Sequence, residues 1–176
     1  LRKEAAISAA QTGDKTVETA LLAHANDQKS PFRVHAIVGL AIENPEKHLA
    51  RWFSTVLDVN EDLAFRKTLF SFGQRISPLV LRNRKEDLYR CLQATEKNGR
   101  PIDDIRAAVW YMICDYFGEQ PALVLTTKDR SITESMRSII ERRLIQSNQK
   151  GSPWELRALA DKKIEELVTV YRPTVR

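Results

Sequence analysis

The chain has 176 residues, 43% hydrophobic and 29% charged, with a formal net charge of +5. That is enough apolar material for one folded domain and too much for a disordered segment. No apolar run approaches the ~18 residues of a membrane span, no charged-then-apolar leader opens the chain, and two cysteines without a CxxC pair exclude a disulfide framework. Cys91 and Cys114 fit a reducing, cytoplasmic setting. The positive charge is uneven: residues 1–50 balance at six basic and six acidic, whereas residues 51–100 hold ten basic against six acidic. A whole-chain +5 is too mild to imply a nucleic-acid partner by itself.

The predicted elements are helices. The first runs through LRKEAAISAAQTGD and stops at Gly13-Asp14. The second spans about Thr16 to Ala25, with Val17, Ala20, Leu21 and Ala25 on one stripe. Phe32-Arg33 opens a third to about Glu43, and Asn44-Pro45 breaks the chain before a fourth from about Glu46 to Leu57. A fifth carries Phe65-Arg66 to about Ile76. Asn83 and Glu86 predict a capping box for a helix reaching Lys97, with residues 78–82 as added length. Pro101 to Phe117 forms another, stopped by Gly118, and Pro121 to Thr126 makes one or two helical turns. Ser131 with Glu134 predicts a capping box for a helix to about Asn148. Ser152-Pro153-Trp154-Glu155 starts the last, which runs to about Tyr171 before Pro173. No window alternates like a strand, so the chain reads as all-α.

One pattern recurs through these helices, an apolar residue followed by arginine: Leu1-Arg2, Phe32-Arg33, Phe65-Arg66, Ile105-Arg106 and Met136-Arg137, at spacings of 31, 33, 40 and 31 residues. A period of that size without Gly- or Pro-rich linkers is the mark of a stacked helical array. The stretch Arg2 to Arg33, with Glu4-Ala5-Ala6, Gly13-Asp14, Leu21-Leu22, Asp27 and Phe32-Arg33, resembles a HEAT repeat of the short, HEAT-like kind. The copy Arg33 to Arg66 follows it with Asn60 in place of the aspartate. The third copy is lengthened and has Arg100 at that place, the fourth has Ser131, and the final helix lacks the pair. The resemblance implies a right-handed α-solenoid of about four stacked antiparallel helix pairs over residues 1–149, with second helices lining a concave face. An atypical helix in 150–176 caps the same domain or docks on a partner, using Trp154, Leu156, Leu159, Ile164, Leu167 and Val168. It also implies that further repeats or another domain precede Leu1.

Three groups of residues are candidates for function. The repeated arginines form either a ladder for phosphates and acidic peptides or a packing device pairing with acids such as Asp27; one-per-repeat recurrence favours packing. Aligned on the apolar residue before arginine, the inner helices carry a core stripe such as Phe32, Ala36, Leu40 and Phe65, Leu69, Gly73. The fifth position after it holds Ile37, Phe70 and Trp110, and the sixth holds Val38 and Tyr111. Helices 32–42 and 105–117 are therefore apolar almost all round. Ile37, Phe70, Trp110 and Tyr111 are candidate anchors for a peptide in a groove, or else pack against neighbouring helices, the favoured alternative. Third, Arg66, Lys67, Arg75, Arg82, Arg84, Lys85 and Arg90 form a basic cluster able to touch phosphates or to pair locally with Glu86 and Asp87.

No catalytic or metal pattern is evident. His24, His35 and His48 lie in separate helices without metal-ligand spacing, and the acids Asp103, Asp104 and Asp115 include a neighbouring pair at a helix N-terminus, where negative charge is favourable without any catalytic role. The expectation is a non-catalytic protein-interaction scaffold region of a larger protein, needing no cofactor, with a protein or peptide partner and no membrane. The alternative is a nucleic-acid-binding helical-repeat domain using the cluster at residues 66–90. HEAT-like proteins such as alkylpurine DNA glycosylases hold duplex DNA in a basic channel, but Phe70 and Trp110 stand here where cations are expected.

Overall fold

A computed structural model describes residues 8, 12, 14–126 and 129–170. The pair Leu1-Arg2 and the helix predicted around Ala5, Ala6 and Ala9 lie outside the described residues, as does Gly13. Among the described residues the chain is mostly helical, with nine helices and one pair of short strands. It divides into two compact units. The first holds the described residues up to Asp87 together with Ala94–Arg100, and the second holds Leu88–Gln93 with the described residues from Pro101 onward.

The first unit begins with α1 (Lys15–Asn26), α2 (Arg33–Glu43), α3 (Pro45–Leu57) and α4 (Leu63–Gly73). Their starts are chemically marked. Asp14 caps α1 by accepting the Thr16 N–H at 2.7 Å, and Asn44 caps α3 by accepting from Lys47 with Pro45 in the first turn. Asp62 caps α4 by accepting the Phe65 N–H at 2.8 Å. These caps satisfy backbone donors that have no partner inside the helix. α1 packs on α2 and α3 packs on α4, while α2 also touches both α3 and α4. Being surrounded on three sides explains its sequence: every residue from His35 to Ala41 is buried.

A second knot of apolar contact joins α3 to α4. Trp52 is 1% exposed, its indole N–H donates to the Leu69 carbonyl at 3.2 Å, and its ring stacks on Phe70 and meets Phe53 edge-on. Aromatic pairs of this geometry add about 0.5–1.5 kcal/mol each beyond area burial. The ring lies directly on Gly73, where a β-carbon would stand 2.6 Å from Trp52 Nε1. Gly73 therefore admits the indole rather than merely ending the helix.

Two predicted segments differ from expectation here. Residues 78–82 are a helix in their own right, α5 (Pro78–Arg82), and Asn83 closes it instead of capping the next. α6 (Lys85–Cys91) then ends well short of Lys97. The residues after it form turns at Leu92 and Gln93 and a tight loop at Glu96 to Arg100, with Gly99 at φ +84°. A left-handed turn residue of that kind suits glycine and cannot continue a helix.

In the second unit α7 (Asp103–Phe117) ends, as expected, at Gly118, which takes φ +73° while its N–H closes on the Cys114 carbonyl. The segment 121–126 is not helical. It contains β1 (Leu123–Leu125), which pairs in parallel with β2 (Val168–Val170), Leu123 opposite Val168. The described residues remain mostly helical, in keeping with the all-α expectation, with this short strand pair added; the last helix, α9 (Pro153–Leu167), stops before Tyr171 because the chain turns extended at Val168. Asp103 holds the strand's end: its carboxylate accepts from the Thr126 N–H at 2.7 Å and hydroxyl at 2.6 Å.

α8 (Arg130–Gln146) is capped by Asp129, which accepts the Ser131 N–H at 2.8 Å, so the Ser131–Glu134 box does not form. The box predicted for α9 does: Ser152 and Glu155 bond reciprocally, with Pro153 in the first turn. α9 packs on α8 within the second unit. Its buried face is Ala160 and Ile164, whereas Leu159 is exposed and Trp154 is 81% exposed.

Candidate interaction surfaces

The recurrent arginines share one structural task. Arg33 Nε donates to the Ala25 carbonyl at 3.4 Å, Arg66 Nε to Val56 at 2.7 Å, and Arg106 Nε to Leu92 at 2.5 Å. Each acceptor lies in the last turn of the preceding helix or just past it, where carbonyls lack helical partners. The remaining guanidinium nitrogens reach further. Arg33 makes a two-pronged ion pair with Glu61 and lies 4.5 Å over the Phe65 ring, so its acid comes from the following copy and not from Asp27. Arg66, 1% exposed, also donates to Thr95 at 2.8 Å; Arg106 also donates to Val124 at 2.5 Å. Arg137 departs from the pattern, bridging Asp161 on α9 at 2.5 Å and Glu134 at 2.6 Å. Arg2 lies outside the described residues.

Three of the four anchor candidates are buried and the fourth, Tyr111, is half-buried. Ile37 is 1% exposed, Phe70 is 4% and Trp110 is 0%. Ile37 sits in the surrounded helix α2, Phe70 stacks on Trp52, and the Trp110 indole donates to the Pro121 carbonyl at 2.7 Å. Tyr111 is half-buried and its hydroxyl donates to the Ile132 carbonyl. Burial pushes that hydroxyl up to about 12, so it remains a donor at any physiological pH. All four make contacts within their own units, Tyr111 remaining half-buried.

The basic cluster is split by the same observations. Arg66 is a buried structural residue, and Arg84 pairs with Asp87 while lying 5.6 Å over the Phe53 ring. Arg75 sits 5.1 Å over Phe72. Lys67, Arg75, Arg82 and Arg90 are exposed and Lys85 is half-buried, with Arg90 belonging to the second unit and the others to the first.

Each unit also carries an open cleft. In the first, about 470 Å³ lies beside Arg66, Val59, Glu61 and the loop residues Glu96 to Asn98. In the second, about 450 Å³ is lined by Arg143, Lys163, Gln120, Gln146, Ile140 and Leu144. Arg143 also lies near the buried Cys114 thiol, which burial pushes up to about 12 against the pull of that cation. Sequence reading missed this second cleft. One signal was present: no carboxylate stands three or four residues from Arg143 in either direction, the spacing at which a helix pairs charges. Among the described residues no group of three or more His, Cys, Asp or Glu is arranged to hold a metal ion, and no helix is long and apolar enough to cross a membrane.

Comparison with protein-family models, with curated proteins and with solved structures finds no match to this chain.

Proposed function

We propose that this chain is a HEAT-like helical-repeat region that works as a non-catalytic protein-interaction scaffold within a larger intracellular protein. The observation that carries this reading is the common task of Arg33, Arg66 and Arg106, each tying the start of one helix to the carbonyl end of the helix before it. A residue type that repeats at repeat spacing and repeats its contact is a register device, as expected where each unit mainly touches its neighbours. The pairs α1/α2 and α3/α4, joined through α2, support the same reading within the first unit. Such arrays act by the surface they present, and the exposed large apolar residues are where a partner would find anchors. Trp154 at 81% exposure and Ile145 at 60% are the foremost in the second unit. Tryptophan is enriched among residues that dominate binding energy.

The test is proximity labelling with the full protein in its own cells, comparing wild type with Trp154→Ala and Ile145→Ser. A scaffold reading expects a defined set of neighbouring proteins to drop out while the variants melt normally. An unchanged set in both variants would count against it. The nucleic-acid reading draws on the exposed cations Lys67, Arg75 and Arg82. Salt-titrated binding to generic DNA and RNA separates it: binding abolished only by alanine at Arg82, Arg84 and Lys85 together would favour that alternative.

A further inference from the structure

We infer that the cleft in the second unit, formed by α8, α9 and the segment after α7, binds a phosphate monoester. Its volume of about 450 Å³ falls in the range of small-molecule sites. The argument is one of charge. In this unit Arg137 reaches Asp161 and Glu134, Arg142 stands 3.9 Å from Asp115, and Arg157 stands 3.7 Å from Glu134. Arg143 and Lys163 line one cleft together, and neither makes an ion pair or a side-chain hydrogen bond among the described residues. Arg143 is half-buried, so its charge is partly desolvated without a compensating anion.

α7 and α8 both finish beside the cleft, and a helix C-terminus attracts cations. Four of their terminal carbonyls are bonded by backbone N–H groups: Cys114 by Gly118, Arg143 by Ser147, Leu144 by Gln149 and Ile145 by Asn148. Two cationic residues, Arg143 and Lys163, line the cleft. A guanidinium and an ammonium on one cleft suit a phosphate dianion, and Gln120 and Gln146, which also line it, carry amide donors. Leu144, half-buried with the buried Ile140 beside it, gives the same cleft an apolar patch, which favours an ester with an apolar body over the bare ion. The ester could be a small metabolite or a phosphorylated side chain, since both offer the same group.

The experiment titrates phenyl phosphate, inorganic phosphate, benzyl alcohol and a short phosphotyrosine peptide into the whole chain, followed by NMR and calorimetry. Phenyl phosphate should bind saturably and more tightly than inorganic phosphate. Losing one charge-assisted contact should weaken it about tenfold or more in Arg143→Gln and in Lys163→Gln. Arg142→Gln, whose charge is paired outside the cleft, should leave it unchanged. A peptide that outbinds phenyl phosphate assigns the ester to a phosphorylated protein, and equal binding assigns it to a small molecule. No saturation by any phosphate probe, binding that survives Lys163→Gln, or benzyl alcohol binding as well as phenyl phosphate overturns the inference. Lys163 is exposed, so its variant keeps the fold and an unaltered melting curve verifies this.

Discussion

Gly73→Ala is the sharpest test of the packing described for the first unit. The new methyl would overlap Trp52 Cζ2 and Cε2 and stand 2.6 Å from Nε1, whereas atoms in comfortable contact lie about 3.5–4.0 Å apart, so the ring must retreat by about 1.5 Å. Retreat is obstructed, because the indole is 1% exposed, flanked by Phe53 and Phe70, and bonded to the Leu69 carbonyl. Overpacking of this kind costs about 1–3 kcal/mol. Loss of the indole hydrogen bond adds about 0.5–1.5 kcal/mol. Against this, alanine favours the helix by about 1 kcal/mol over glycine, and Gly73 has no positive φ to make it strained. A net loss of about 1–3 kcal/mol remains, or a fall in Tm of about 3–10 °C for a chain of this size. Thermal melts followed by circular dichroism and by tryptophan fluorescence measure it. Adding Trp52→Leu should recover part of the loss, since the smaller side chain leaves room for the methyl. A Gly73→Ala protein that melts at or above the wild-type temperature would refute the packing argument.

Three further outcomes are expected. Arg66→Ala strips the Val56 and Thr95 carbonyls of a buried donor and should destabilise by about 2–4 kcal/mol in urea unfolding, with Arg66→Lys recovering little because an ammonium cannot serve both. Glu18 accepts hydrogen bonds from Lys47 and then His48, which hold its carboxyl below the ordinary range. A lowered folded value means the stabilisation is present above the unfolded value of about 4.3 and is lost as pH falls through the folded one. Wild type should therefore exceed Glu18→Gln in stability at pH 7 and converge on it near pH 3. With its thiol at about 12, Cys114 should react with iodoacetamide at pH 8 only as fast as the second unit unfolds; prompt labelling in native buffer would contradict its burial.

Helix starts were legible at Asn44-Pro45 and at Ser152-Pro153-Trp154-Glu155, where a cap is followed directly by proline, whereas a cap and a glutamate alone misled at Asn83–Glu86 and Ser131–Glu134. Asp129 shows the limit: two neighbouring polar residues both suit an N-cap, and the one two residues earlier wins. The strand Leu123–Leu125 left no signal because three residues cannot display alternation, and its partner lies far along the chain. The apolar girth of α2 was visible, but not its cause; only the packing of α1, α3 and α4 around it distinguishes burial by neighbours from an open groove. Arg143 was hidden for the opposite reason. Its importance comes from the carboxylate it lacks, and tertiary pairs such as Arg142 with Asp115 cannot be counted along the chain.

The parallel pairing of Leu123–Leu125 with Val168–Val170 has a consequence for synthesis on the ribosome. Parallel strands need a long crossover, and here the crossover contains both α8 and α9. The first strand must therefore wait, unpaired, while two whole helices are translated after it. The helices before Asp87 have no such dependence and are free to pack as they emerge. Vectorial folding would thus be staggered, with the N-terminal unit settled before the other closes. A ribosome stalled before Val168 would display a nascent chain whose second unit stays open to proteases and chaperones.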